Sequence, residues 1–171
     1  QTQFEASWSV EENTAGGSNS FPKTYHVNPQ FGLRCKVTNE SVESGYSSII
    51  VTILQKYRRE LRKEQKPMLF IGCSIYRESG VRQRKVCCIS SIRKYPTFSE
   101  AKNKQFFREN NAMATSSGCS NLREVTIRFR IEPGDYVIVP YTKSPNEEAE
   151  FLLRIFVNGG EVETKRLPAS Q

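Results

Sequence analysis

Residues 122–131 read LREVTIRFRI. Val125, Ile127, Phe129 and Ile131 alternate with Thr126, Arg128 and Arg130. A period of two puts the apolar set on one face and the polar set on the other, as in a strand with one buried and one wet side. Pro133-Gly134 then supplies a turn, and DYVIVPYT (135–142) starts a second strand. The fold therefore reads as antiparallel β.

The same signal recurs outward from this stretch. AEFLLRIFVNGG (149–160) reads as a strand closed by Gly159-Gly160. SSIIVTILQ (47–55) and MLFIGCSIY (68–76) are rich in β-branched and aromatic residues. FGLRCKV (31–37), RKVCCISSI (84–92), FEASWSV (4–10) and KTYHVN (23–28) are weaker candidates. Together they give about eight strands and an antiparallel β-sandwich. Between them, residues 93–121 admit a short helix capped by Ser99 and running to Glu109, with QFFRE equally readable as a strand.

The chain has 171 residues, which suits one domain spanning 1–171. Its 37% hydrophobic and 25% charged content is ordinary for a globular protein. No apolar run approaches the roughly 18 residues of a membrane span. The first residues, QTQFEASWSV, show neither a signal peptide nor an initiator Met, which suits a fragment of a longer protein. Five cysteines, an odd number without CxxC spacing, fit reduced thiols in a cytoplasmic setting better than disulfides or zinc.

The net charge of +7 is unevenly placed. Residues 54–94 hold twelve basic and three acidic residues, whereas 95–171 hold ten of each. The basic segment opens with LQKYRRELRKEQK (54–66), carrying Lys56, Arg58, Arg59, Arg62, Lys63 and Lys66 against Glu60 and Glu64. It lies between two strands and reads as the connection of a long hairpin. Leu54, Tyr57, Leu61 and Met68 allow a turn or two of helix before Pro67. Six buried cations would be prohibitive, so the charges are expected to face water and to attract an anionic surface.

Catalytic chemistry finds no constellation. The single histidine, His26, lacks an orienting carboxylate nearby and reads as structural. There is no nucleophile elbow, P-loop, dinucleotide fingerprint or HExxH. TAGG (14–17) reads as a turn rather than an anion nest. Glu40 and Glu43 in TNESVESG, and Glu147, Glu148 and Glu150 in PNEEAE, are the acidic loops to which a calcium ion would be drawn, although neither matches an EF-hand loop. Tyr57 is the only aromatic residue inside the basic stretch, so nucleic acid is not expected as a partner.

Seven stretches then run in a telling order. They are TAGG (14–17), NPQF (28–31), ILQKYRR (53–59), IGCSIY (71–76), NLREV (121–125), RFRIEPGDYVIVP (128–140) and EFLLRIF (150–156). This order resembles the third domain of the calpains, the calcium-dependent cytosolic cysteine proteases. The resemblance implies an eight-stranded antiparallel sandwich of the calcium- and lipid-binding type, with one or two short helices in its loops. It implies a non-catalytic regulatory domain between an upstream protease core and a downstream EF-hand domain. None of the cysteines, nor His26, matches that family's catalytic motifs, so the chain alone is not expected to be an enzyme.

The resemblance further implies calcium at an acidic loop, here only Glu40 and Glu43, and acidic phospholipid or a neighbouring domain at the basic stretch. At about 1 kcal/mol per basic residue near an anionic leaflet, net attraction is roughly 4 kcal/mol. That corresponds to a dissociation constant near the millimolar range. The alternative is a free-standing electrostatic module for anionic membrane or nucleic acid.

Overall fold

The structure is a computed structural model that describes residues 1–36, 46–78 and 100–169. Among them nine strands follow in order: β1 (Thr2–Trp8), β2 (Phe31–Lys36), β3 (Ser47–Gln55), β4 (Ile71–Arg77), β5 (Ala114–Thr115), β6 (Glu124–Ile131), β7 (Gly134–Thr142), β8 (Ala149–Asn158) and β9 (Glu161–Arg166). Two short helices, α1 (Arg58–Leu61) and α2 (Lys104–Glu109), and 3-10 turns at Tyr25–Val27 and Arg62–Glu64 fill the connections.

The strands form two antiparallel sheets, ordered β1-β8-β3-β6 and β5-β4-β7-β2-β9. LREVTIRFRI lies mostly in β6, with Val125, Ile127 and Ile131 inward and Arg128 and Arg130 outward. One core fills the space between the sheets. Ile49, Val51, Ile53, Phe151, Leu153 and Ile155 meet Phe31, Leu33, Ile71, Ile75 and Ile138 there. Trp8 stacks on Phe151 and donates its indole N–H to the Pro140 carbonyl at 3.2 Å, which links the two sheets.

The sandwich is as expected, with nine strands rather than eight. β9, EVETKR, pairs only with β2 at a sheet edge and packs a single apolar side chain, Val162, against the core, so it leaves little hydrophobic signal. β5 has two residues, too few for a period. KTYHVN is not a strand: Tyr25 and Val27 donate to the Phe21 and Thr24 carbonyls, and Tyr25 turns inward. RKVCCISSI and Ser99 lie outside the described residues. QFFRE is helical within α2, capped by Asn103, whose side chain accepts from the Phe106 amide at 3.1 Å.

The basic stretch does not join a hairpin. β3 is already paired on both edges, by β8 and β6, so the chain has no place beside it for β4. The stretch instead crosses from one sheet to the other.

TAGG is a buried turn. Asn28 accepts from the Gly16 amide at 3.1 Å and donates to the Gly17 carbonyl at 2.8 Å, so the loop's polar groups are already partnered. A Cβ at Gly16 would collide with the Thr24 carbonyl oxygen, and Gly17 sits at φ +76°. The two motifs TAGG and NPQF are thus one structural unit.

The outer face of the five-stranded sheet is covered. Tyr76, Val137, Val139 and Tyr141 pack there against Tyr25 and Leu167, with Phe106 and Phe107 of α2 above them. Edge-on ring contacts join Phe107 to Tyr25 at 5.1 Å and to Tyr76 at 5.0 Å.

Candidate functional site: the basic arch between the sheets

The crossover starts at Gln55, a fully buried polar residue. Its amide side chain donates to the Leu69 carbonyl at 2.8 Å and the Leu122 carbonyl at 2.9 Å, and accepts from the Leu69 amide at 3.1 Å. One side chain thereby closes the arch on itself and fastens it to the entry of β6. Tyr57 adopts φ 57°, a left-handed turn that lets the Glu60 and Leu61 amides reach its carbonyl and begin α1. Gln65, at φ 58°, reverses the chain again before Pro67.

The six basic residues do not behave alike. Lys56 is the exception to the water-facing expectation. Its ammonium sits 2.8 Å from Glu5 and 3.5 Å from Glu150, with its side chain only 16% exposed. The hydrogen bond to Glu5 raises its pKa, so it stays charged. Lys63 is exposed, and Lys66 is exposed beside Glu64 at 3.1 Å. Arg58 and Arg59 open α1 and Arg62 begins the following 3-10 turn; their side chains lie outside the described set.

Sequence reading missed the apolar part of this site. Tyr57 is 53% exposed, Phe70 41% and Leu122 59%. All three adjoin the groups that Gln55 ties together. Lys143 adds a further cation, donating its amide to the Phe70 carbonyl at 2.8 Å and placing its ammonium 5.1 Å from the Phe70 ring centre. The signal for Leu122 was present: it is an apolar residue in the polar register of the LREVTIRFRI alternation.

The remaining expected groups are less constructive. Glu40 and Glu43 lie outside the described residues. Among the described residues no three His, Cys, Asp or Glu side chains gather as a metal site. Glu147 and Glu148 instead accept backbone amides, from Ser144 at 3.0 Å and Val10 at 2.8 Å. His26 sits in the Tyr25–Val27 turn with Nδ1 buried and unpartnered, and burial, helped by Lys104, lowers its pKa. Cys35, Cys73 and Cys119 are free thiols, each with its pKa pushed up chiefly by burial.

What the geometry defines is a two-sheet antiparallel sandwich with a basic, partly apolar arch at one end. The sequence matches the family described as calpain large subunit, domain III, over residues 4–156. It is 43% identical over 153 residues to calpain clp-4 of Caenorhabditis elegans, covering 89% of this chain and 19% of that protein. Against the calpain-1 catalytic subunit of Bos taurus it is 34% identical over 161 residues, covering 91% of this chain and 21% of that one. A solved pre-peptidase C-terminal domain of a Bacillus anthracis collagenase aligns with 91% of this chain and 88% of its own, at 12% identity and a TM-score of 0.44. The chain belongs to the calpain domain III family, whose members are the non-catalytic sandwich of calpain large subunits. It spans about a fifth of the length of the curated relatives it matches.

Proposed function

We propose that this chain is a regulatory and scaffolding domain of a calpain-type cysteine protease, and that the arch is its contact for an anionic surface. The parent polypeptide carries a protease core before it and an EF-hand domain after it, works in the cytoplasm, and is drawn to membranes when the arch engages acidic phospholipid. Calcium acts, on this reading, through the loop holding Glu40 and Glu43.

The observation that supports the arch is the joining of cations with exposed apolar side chains by Gln55. Charge alone gives about 1 kcal/mol per basic residue at an anionic leaflet. Burying an exposed side chain such as Leu122 adds about 1.5–3 kcal/mol at most. The combination lifts binding above the millimolar range expected from charge alone, and gives it a part that salt does not screen.

Co-sedimentation with phosphatidylserine and phosphoinositide vesicles tests this, at low and physiological salt, with and without calcium. We expect binding that weakens with salt, falls in an R58S/R59S/R62S/K63S variant, and falls further when Leu122→Ser is added. Stimulation by calcium that is lost on E40Q/E43Q supports the acidic-loop role. Absence of binding in every condition overturns the membrane reading and leaves the arch as a contact for another domain.

A further inference from the structure

The two sheets are finished differently on their outer faces. α2 and the Tyr25–Val27 turn cover the five-stranded sheet with a second apolar cluster. On the four-stranded sheet the edge strands turn exposed polar side chains outward, but the two central strands turn outward mostly half-buried apolar ones. Residues directly opposite one another in an antiparallel pair share a face. Ile50 therefore stands beside Phe156, Thr52 beside Arg154, and Leu54 beside Leu152, across the two central strands β3 and β8. Their neighbours in the chain, Ile49, Val51, Ile53, Phe151, Leu153 and Ile155, supply the core on the other side.

Charge on this face is segregated. At the arch end, Glu5 and Glu150 hold Lys56, and Glu124 stands opposite Leu54. Further along, β6 sets Arg128 opposite Ile50 and Arg130 opposite Ser48. Arg154 lies between the two apolar rows, and its Nε is buried without a hydrogen-bond partner among the described residues. None of the three arginines has an ion-pair partner among those residues. A buried guanidinium N–H left unpaired is costly and uncommon in a finished structure.

From this juxtaposition we infer that the outer face of β8-β3-β6, at the end bearing Ile50, Phe156, Arg128, Arg130 and Arg154, is a docking face for an acidic, partly apolar surface elsewhere in the parent polypeptide. The planar fork of arginine matches a carboxylate in two hydrogen bonds, and Arg154 offers that fork from within an apolar setting. Ile50 and Phe156 require apolar side chains between the carboxylates they meet. The matched calpains carry about four-fifths of their length outside this region. A surface on the same chain reaches this face at high effective concentration, so modest contacts suffice.

The inference rests on the multidomain parent proposed above, but not on the arch. Arg128 and Arg130 sit at the far end of β6 from Glu124 and the arch, so vesicle binding and docking fail independently.

The test uses the full-length polypeptide, with p-benzoylphenylalanine introduced in turn at positions 50 and 156. Irradiation is followed by mass spectrometry of the cross-linked peptides. We expect an intrachain product from at least one position, joined to a peptide carrying several Asp or Glu residues. The exposed-site variant R128E/R130E should cut its yield by about thirtyfold or more, as for a charge pair lost from a buried contact, with an unchanged melting temperature. Intrachain product from neither position, products only with a second molecule, a captured peptide without carboxylates, or a yield that R128E/R130E leaves alone would each overturn the inference.

Discussion

Lys56 and Glu5 meet at 2.8 Å, joining the root of the arch to the outermost strand of the four-stranded sheet. Among the described cations of the basic stretch, this one is the least exposed and the most closely held within the domain. Its ammonium is held by Glu5 and Glu150 together, so an external anion must compete with two carboxylates. Lys63 and Lys66 face solvent and carry no such double pairing.

The two kinds of lysine should separate by experiment. Lys63→Gln with Lys66→Gln should weaken vesicle binding by about 2 kcal/mol, or roughly thirtyfold. Lys56→Gln should leave vesicle affinity nearly unchanged and lower the melting temperature instead. Vesicle titration and thermal unfolding on the same samples check both. Equal losses of affinity in the two variants would mean that Lys56 leaves its partners on binding.

Gln55 carries a prediction about stability. Replacement by Ala leaves the Leu69 amide and carbonyl and the Leu122 carbonyl without their partner in a part-buried site. The expected loss is about 3 kcal/mol, measured by chemical denaturation. Gln55→Glu is more pointed. A carboxylate still accepts from the Leu69 amide but faces the two carbonyls without a proton to give. That variant should be least stable at neutral pH and recover in acid, where its carboxyl becomes a donor.

How much of this was legible beforehand follows the physics of each element. β6 and β8 bury one face each, and burial writes a period of two into their sequence, whereas β7, covered on both sides, reads as the continuous apolar run of 136–141. β9 is held by edge pairing with β2 and packs only Val162 against the core, so EVETKR carries too little apolar periodicity to be read as a strand. The route of the basic stretch depends on which strands flank β3, a non-local matter that no window of local sequence contains. Its charge was plain, and Leu122 stood out as an apolar residue in the polar register of β6; the Gln55 anchor and the exposed Phe70 were not legible, since each depends on partners far along the chain. The arginine face was half visible. Arg128 and Arg130 stood in the alternation, but only the register of β3 with β8 brings Arg154, Ile50 and Phe156 alongside them.

The single histidine gives a clean pH prediction. Burial first, and the charge of Lys104 second, lower the His26 pKa in the folded protein from 6.5. The folded state therefore disfavours protonation relative to the unfolded chain. Its contribution to stability is complete above pH 6.5 and is lost as pH falls from there through the lowered folded value. We expect the melting temperature to decline between neutral pH and about pH 5, and His26→Gln to flatten that decline. An identical slope in the variant would assign the decline to carboxylates.

The thiols test how tightly the sandwich is sealed. Cys73 lies on β4 in the core between the sheets, with its pKa raised far above the ordinary range by burial. Cys35 is buried beside Ser47, its Sγ 3.6 Å from the serine hydroxyl. Cys119 is partly exposed, and Lys143 offsets some of the rise that burial imposes on it. In a C87S/C88S background at about pH 8, a thiolate-selective reagent should modify Cys119 first, then Cys35, and Cys73 only through opening of the core. Mass spectrometry of timed samples reads the order. The Cys73 rate should rise with denaturant in step with global unfolding, while the Cys119 rate stays nearly constant. If Cys73 reacts as fast as Cys119 in native buffer, β4 does not close the core, and Ile71 and Ile75 on the same strand lose their place in it.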